Sequence, residues 1–140
     1  MQSEQNNREG ASDAAGEAAS EAGSVDALQQ AVDQQARDIA EVPAVELINT
    51  VSVHLMSAAA VKTGLAEDDE AAAMKDLDEA RKLITALAGL VTAAAPEVGS
   101  QHAMPLRDGL RSLQLAFREE SSVPDAPGQG PGEKWTGPVS

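Results

Sequence analysis

The chain lacks cysteine and tyrosine, and it has one phenylalanine and one tryptophan among 140 residues. Without cysteine it can form no disulfide, no thiolate metal site and no thiol nucleophile. Basic residues are also scarce, since ten Lys and Arg stand against 23 Asp and Glu, for a formal net charge of −13. This balance argues against DNA binding and against binding to anionic membranes, because both need clustered basic residues.

No membrane or secretory segment is expected. The first 24 residues are polar and acidic, without the basic start and apolar stretch of a secretory signal. The longest uncharged apolar run covers residues 83–95, which is shorter than the roughly 20 residues that a bilayer requires. We therefore expect a soluble cytoplasmic protein.

Charge and composition divide the chain into four segments. Most of the acidity lies near the N-terminus, where residues 1–41 carry a net charge of −7. The predicted segments are a disordered acidic arm (1–24), a weak amphipathic helix or linker (25–41), a helical core domain (42–120) and a disordered tail rich in Pro and Gly (121–140).

Apolar residues recur at helical spacing through the core segment. The pattern predicts one helix from Ala44 to Leu65 with Gly64 as its stop, and a second that Asp76 and Glu79 cap and that Pro96 and Gly99 end. A third begins at about Ser100 and carries an apolar stripe: Leu106, Leu110, Leu113 and Phe117. No strand alternation is present. The predicted fold class is all-α: a small bundle of three core helices plus a weaker N-terminal helix, flanked by disordered arms.

The first core helix is apolar over most of its circumference, which is typical of a helix that is buried on most sides. Two neighbouring helices would not cover it, and many other core positions are alanine, so one chain forms a marginal core. We expect a homodimer or a higher oligomer that buries a candidate self-association face: Val45, Ile48, Val51, Ser52, Leu55, Met56 and Ala59.

Several blocks of this sequence resemble a known family. They are VELINT (45–50), HLMSAAAVK (54–62), DLDEARKLI (76–84) and PLRDGLRSL (105–113). The sequence is similar to the bacterial domain-of-unknown-function family 1844, and GPGEKWTGP (130–138) resembles its actinobacterial branch. The resemblance implies no established chemistry. Members are often encoded near translation genes, which hints at a role there.

Few residues suggest catalysis. His54 and His102 are the only histidines, and a metal or proton-transfer role would require that they converge with carboxylates. Packing or helix capping is the simpler interpretation of both. The acidic run 67–70 lacks calcium-loop spacing and is typical of a solvated turn. We assign no catalytic, cofactor-binding or metal-binding residue and expect no enzyme and no cofactor; an acid-ligand metalloenzyme would need His54 near two carboxylates.

Two features suggest binding. Trp135, beside Lys134, lies in a tail where a tryptophan stabilises nothing unless it docks, either on a partner or on the chain's own helices. Arg107, Arg111 and Arg118 form a candidate basic strip on the third core helix. The strip could serve an acidic partner, an RNA backbone or the chain's own acidic arm. The simpler interpretation is ion pairing, within or between subunits, with three acidic residues: Asp76, Asp78 and Glu79.

The predicted function is that of a non-catalytic, homo-oligomerising helical interaction or regulatory protein. It would present acidic and Trp-bearing flexible arms to a protein partner. The alternative is a factor associated with the translation machinery that contacts ribosomal RNA or ribosomal proteins.

Overall fold

The computed structural model describes residues 23–140, so the arm predicted for residues 1–24 lies almost wholly outside the described residues. This part of the chain is all-α, as predicted, and contains no strand. Its helices are α1 (23–41), α2 (Ala44–Thr63), α3 (Asp69–Ala72), α4 (Leu77–Val98), α5 (Ser100–Glu120) and α6 (Glu133–Thr136).

The chain forms two units, Met1–Val42 and Pro43–Ser140. In the first unit, α1 is exposed along its described length. Its apolar stripe is between 43% and 68% exposed and consists of Val25, Leu28, Val32 and Ile39. Side-chain hydrogen bonds one turn apart, such as Gln29 to Asp33, support the helix locally.

In the second unit, α2 begins directly after Pro43, whose carbonyl accepts the hydrogen bond from the Leu47 N–H. It ends at Gly64, as predicted, because this residue has a φ of 95° that other residues rarely adopt. Only three of its residues are buried: Ser52, Ala59 and Thr63. The single chain therefore leaves most of α2 uncovered, and its burial by a second copy stays a prediction.

Asp76 caps α4, as predicted, because its carboxylate accepts hydrogen bonds from the Asp78 and Glu79 N–H groups. The predicted cap also requires the Glu79 side chain to accept a hydrogen bond from the Asp76 N–H, and this bond is replaced. The Asp76 N–H donates to the Lys62 carbonyl at 2.8 Å, and Glu79 forms an ion pair with Lys82 instead. The hydrogen bond that the Lys82 ammonium donates to the Glu79 carboxylate raises the pKa of Lys82.

α4 passes through Pro96 and ends at Val98, so of the two predicted stops Pro96 is wrong and Gly99 is confirmed. Gly99, with a φ of 84°, breaks the chain between α4 and α5. The predicted stripe of α5 is confirmed, because all four of its residues are buried: Leu106, Leu110, Leu113 and Phe117.

The core forms where α2, α4 and α5 pack against one another. Its main cluster centres on the fully buried Ile84 and Leu87 of α4. Leu55 and Met56 of α2 pack against its edge. A second cluster of Ala94, Ala95, Val98 and Ala103 lies where α4 meets α5, with Val45 and Ile48 packed against it. Small side chains at these contacts let the helices approach closely.

The structure corrects the prediction for the tail. Residues 121–140 fold onto the second unit, with four buried residues: Pro131, Gly132, Glu133 and Val139. The Glu133 carboxylate accepts a hydrogen bond from the Gly128 N–H at 2.9 Å. Asp125 accepts two hydrogen bonds from the Arg81 guanidinium at 2.9 and 3.1 Å. A Pro- and Gly-rich composition suggests that the tail buries too little to compensate for the conformational entropy lost on ordering. These specific contacts supply that compensation.

Candidate functional site

The buried amide of Gln114 fixes the tail to α5. Its Nε2 donates to the Pro131 carbonyl at 3.1 Å and to the Thr136 hydroxyl at 3.0 Å. Gly132 lies between these two partners, with a φ of 75°. A Cβ on Gly132 would lie 2.6 Å from the Ala88 Cβ. The tail can approach α4 this closely because residue 132 has no side chain.

In the single chain, Trp135 docks on the chain's own helices, which is one of the two docking alternatives. A Cβ on Gly89 would lie 3.5 Å from both Cε2 and Nε1 of the indole, so the ring lies on α4 where Gly89 leaves space. The indole stays 48% exposed. The Lys134 ammonium lies 5.5 Å from the ring centroid, within the range of a cation–π interaction.

The docked tail closes one side of a cavity of about 350 Å³ between α4 and α5. Val91, Leu110 and Val139 give it apolar walls, and Trp135 lies at its edge. Polar groups enter from Thr92, Gln114 and Thr136. The volume lies near the lower end of the range for small-molecule sites.

Two arginines of the predicted basic strip also line this cavity: Arg107 and Arg111. Arg111 donates to the main-chain oxygen of Ser140, the last residue of the sequence, at 3.1 Å. Within residues 23–140, neither guanidinium forms an ion pair with an Asp or Glu side chain. Within the chain, the ion pairs predicted with Asp76, Asp78 and Glu79 are thus not the contacts that Arg107 and Arg111 make.

Arg118 is separate from this pair. It lines a small recess together with Asp125 and Glu133. The structure therefore divides the predicted three-residue strip, since Arg107 and Arg111 share a cavity with Trp135 and Arg118 does not.

The predicted self-association face lies mostly inside the chain. Ser52 and Ala59 are buried, and Val45, Ile48, Leu55 and Met56 pack against the core clusters. The Ser52 hydroxyl donates to the Ile48 carbonyl at 2.7 Å, so its polar group is satisfied within the helix. Val51 alone of the seven is exposed, at 42%. Helices α4 and α5 supply the burial that suggested self-association through this face.

A different face of α2 remains uncovered. We call the residues Leu47, Val51, His54, Ala58 and Val61 the outer seam. They follow one another at alternating spacings of four and three residues, the pattern of a coiled-coil seam. Val51, His54 and Ala58 are exposed, and Leu47 and Val61 are partly exposed. The spacing is visible in the sequence, but apolar residues on the other sides of the helix obscure it.

α2 is also long and apolar enough to cross a membrane by length and composition, with 11% of its apolar window buried. The prediction that no segment is long and apolar enough to cross a membrane considers uncharged runs alone, so it overlooks α2. Glu46 and Lys62 interrupt such a run near its ends while the average over the helix stays apolar.

The histidines lie apart from acidic clusters. His54 is exposed in the middle of α2, and His102 is exposed in the first turn of α5. In the acidic run 67–70, Asp68 caps α3 by accepting a hydrogen bond from the Glu70 N–H. No group of three or more potential metal ligands occurs among residues 23–140.

Comparison with known proteins places the helical unit in a family. No curated protein and no solved structure matches the chain. A family model matches residues 44–119, which run from the start of α2 almost to the end of α5. The docked tail and α1 lie outside the match. The chain therefore belongs to the family described as "Domain of unknown function (DUF1844)".

Proposed function

We propose that this protein is a non-catalytic, self-associating helical interaction protein, in which the outer seam of α2 binds the same seam of a second copy. The observation that carries the proposal is the exposure of this seam. A 20-residue apolar helix has three buried residues in the single chain. Apolar side chains that recur along one exposed face are typical of a protein interface.

Charge favours the seam as the contact. The chain carries a net charge of −13, so two copies repel each other over most of their surface. None of the five seam residues is acidic, and α2 carries just two charged residues, Glu46 near its start and Lys62 near its end. Ala58 provides a small side chain at which two helices can approach closely.

An antiparallel pairing suits these charges best. It brings the first turn of one α2, with Glu46, to the same end as the last turn of the other, with Lys62. It also points the two helix dipoles in opposite directions, which is electrostatically favourable. His54, near the middle of α2, would lie close to its own copy.

A bilayer is a poorer occupant of this face than a second copy. The exposed side of α2 carries Glu46, Asn49, Thr50, His54 and Ser57 between its apolar residues. Hydrocarbon would leave these polar groups without hydrogen-bond partners, whereas a second helix and water at the rim satisfy them.

The mass of the full chain in solution tests the proposal. Light scattering after gel filtration, at up to about 100 µM, is expected to give twice the chain mass. Val51→Asp places a charge in the seam, so the mass should fall to that of one chain while helicity is unchanged. Val123→Asp is the matched control, because Val123 is 86% exposed in the tail and the mass should not change.

Two results would overturn the proposal. One is a monomeric wild-type chain over the whole concentration range. The other is a dimer that resists Val51→Asp but dissociates with Leu28→Asp, which would move the interface to the exposed stripe of α1.

Association with the translation machinery stays a prediction. Two of its three candidate arginines line the cavity, and three arginines are few for sequence-independent RNA binding at cellular salt. Co-purification from native lysate at low and high salt tests it, because RNA contacts weaken steeply as salt rises. Ribosomal components that are recovered at low salt and lost at high salt would favour it over self-association alone.

A further inference from the structure

We infer that the cavity between α4, α5 and the docked tail binds a small amphipathic anion, with a carboxylate or phosphate head on an apolar body. This site is independent of the outer seam. It is built from residues that the proposed self-association does not use: Arg107, Arg111, Leu110, Trp135 and Val139.

The head group is assigned from the two guanidiniums. Arg107 and Arg111 are four residues apart on α5, one turn of the helix, and both line the cavity. Neither is paired with an Asp or Glu side chain within the described residues, in a chain with more than twice as many acidic as basic side chains, and Arg111 makes one hydrogen bond, to the main-chain oxygen of Ser140. Guanidinium groups match the planar geometry of carboxylates and bind phosphates through paired hydrogen bonds.

The apolar body is assigned from the walls. Val91, Leu110 and Val139 contribute aliphatic surface, and the half-exposed indole of Trp135 offers an aromatic one. A cavity of about 350 Å³ accommodates a small molecule. The hydroxyl of Thr92 adds a polar group that can orient the ligand.

The tail makes this site. Val139 and Trp135 come from a segment that is placed by Gly132, Gln114 and the Arg81–Asp125 ion pair. Arg107 and Arg111 stay exposed beside the docked tail, so the tail contributes the apolar and aromatic walls of the site and not the burial of its charges. The docked tail thus has a function in this proposal besides stabilising the bundle.

The test uses the one tryptophan of the full chain. Its indole N–H gives one resolved signal in a proton–nitrogen correlation spectrum, and it reports directly from the cavity edge. We would titrate with 2-naphthoate, 2-naphthyl phosphate and the neutral 2-naphthalenemethanol. We expect saturable shifts of the Trp135 signal with one or both anions, and affinity about tenfold lower for the alcohol.

Two variants test whether the anion binds through the arginines of the cavity or nonspecifically. The Arg107→Gln, Arg111→Gln double variant should reduce the affinity for the bound anion about tenfold or more. Arg118→Gln is the matched control, because Arg118 is on the same helix but outside this cavity, and the affinity should stay within about twofold.

The inference fails if neither anion shifts the indole signal up to about 10 mM. It also fails if the alcohol binds as tightly as the anions, which assigns the site to apolar ligands, or if Arg118→Gln weakens binding as much as the double variant. The comparison of anions with the alcohol uses the wild-type chain, so it decides the matter even if the double variant does not fold.

Discussion

The indole of Trp135 lies on α4 at Gly89, where a Cβ would be 3.5 Å from its Nε1 atom. This contact joins the C-terminal tail to the longest helix of the bundle. It also brings the tryptophan to the edge of the cavity that Arg107 and Arg111 line. Two features that look unrelated in the sequence therefore belong to one site.

Gly132 is expected to control whether the tail docks. Gly132→Ala would place its Cβ 2.6 Å from the Ala88 Cβ, at a φ of 75°. We expect a loss of about 2 kcal/mol or more in stability, or release of the tail. Released, Trp135 should show a red-shifted emission and stronger quenching by iodide.

Gly128→Ala is the control for the backbone strain in that experiment. Gly128 also has a positive φ, of 81°, but its surroundings are open, since a Cβ there would meet Pro138 Cγ at 3.9 Å and nothing closer. The substitution should cost about 1–2 kcal/mol and leave the Trp135 emission unchanged. Equal emission shifts in both variants would mean that the contact with Ala88 does not hold the tail.

Gln114 should contribute more to stability than an exposed glutamine of the same helix. Gln114→Ala leaves the Pro131 carbonyl without its side-chain donor in a buried place. We expect the free energy of unfolding in urea to fall by about 1–3 kcal/mol. Gln101→Ala, at an exposed position of α5, should change it by less than about 0.5 kcal/mol. Equal losses would refute the role of the Gln114 hydrogen bonds.

Periodicity is sufficient to predict the three core helices and their inner residues. Leu106, Leu110, Leu113 and Phe117 recur on one side of α5, and all are buried. A repeat of this kind is local, so the sequence shows it directly. It indicates which residues avoid water, but not which neighbour covers them. For this reason the prediction from sequence assigns the inner face of α2 to a second copy, whereas α4 and α5 cover it.

The tail cannot be predicted in the same way, because its order depends on single contacts between distant residues. Gln114 bonds Pro131 and Thr136, and Asp125 bonds Arg81, which is 44 residues earlier. Composition averages over such contacts. The combination of a glycine-rich turn with one tryptophan is a signal for docking, but it does not identify the surface.

The Arg81–Asp125 ion pair should be sensitive to geometry as well as charge. The guanidinium bonds both oxygens of Asp125 and lies 5.0 Å from the Phe117 ring centroid. Both hydrogen bonds come from one guanidinium nitrogen, Nη2. Arg81→Lys keeps the charge but loses the planar group that lies over the Phe117 ring, so we expect the free energy of unfolding to fall by about 1 kcal/mol. Lys82→Arg, at an exposed position beside Arg81, should have little effect. An Arg81→Lys variant with the stability of the wild-type chain would contradict this account.

His54 is expected to weaken self-association in the wild-type chain, because it is the one strongly polar member of the outer seam. His54→Leu should lower the dimer dissociation constant about tenfold, as more apolar area is buried in each copy. Sedimentation equilibrium measures this constant. The matched substitution His102→Leu, at an exposed position outside the seam, should leave it unchanged, and tightening by both variants equally would mean nonspecific association.

Cross-linking through position 54 tests most directly whether two copies meet along the outer seam. The chain contains no cysteine, so His54→Cys introduces a single thiol near the middle of α2. In an antiparallel pair this residue lies beside its own copy, and mild oxidation should give a disulfide-linked dimer in high yield. Lys62→Cys and Val123→Cys should give little. Efficient cross-linking at Val123, or none at His54 in a chain that is dimeric by mass, would contradict the account.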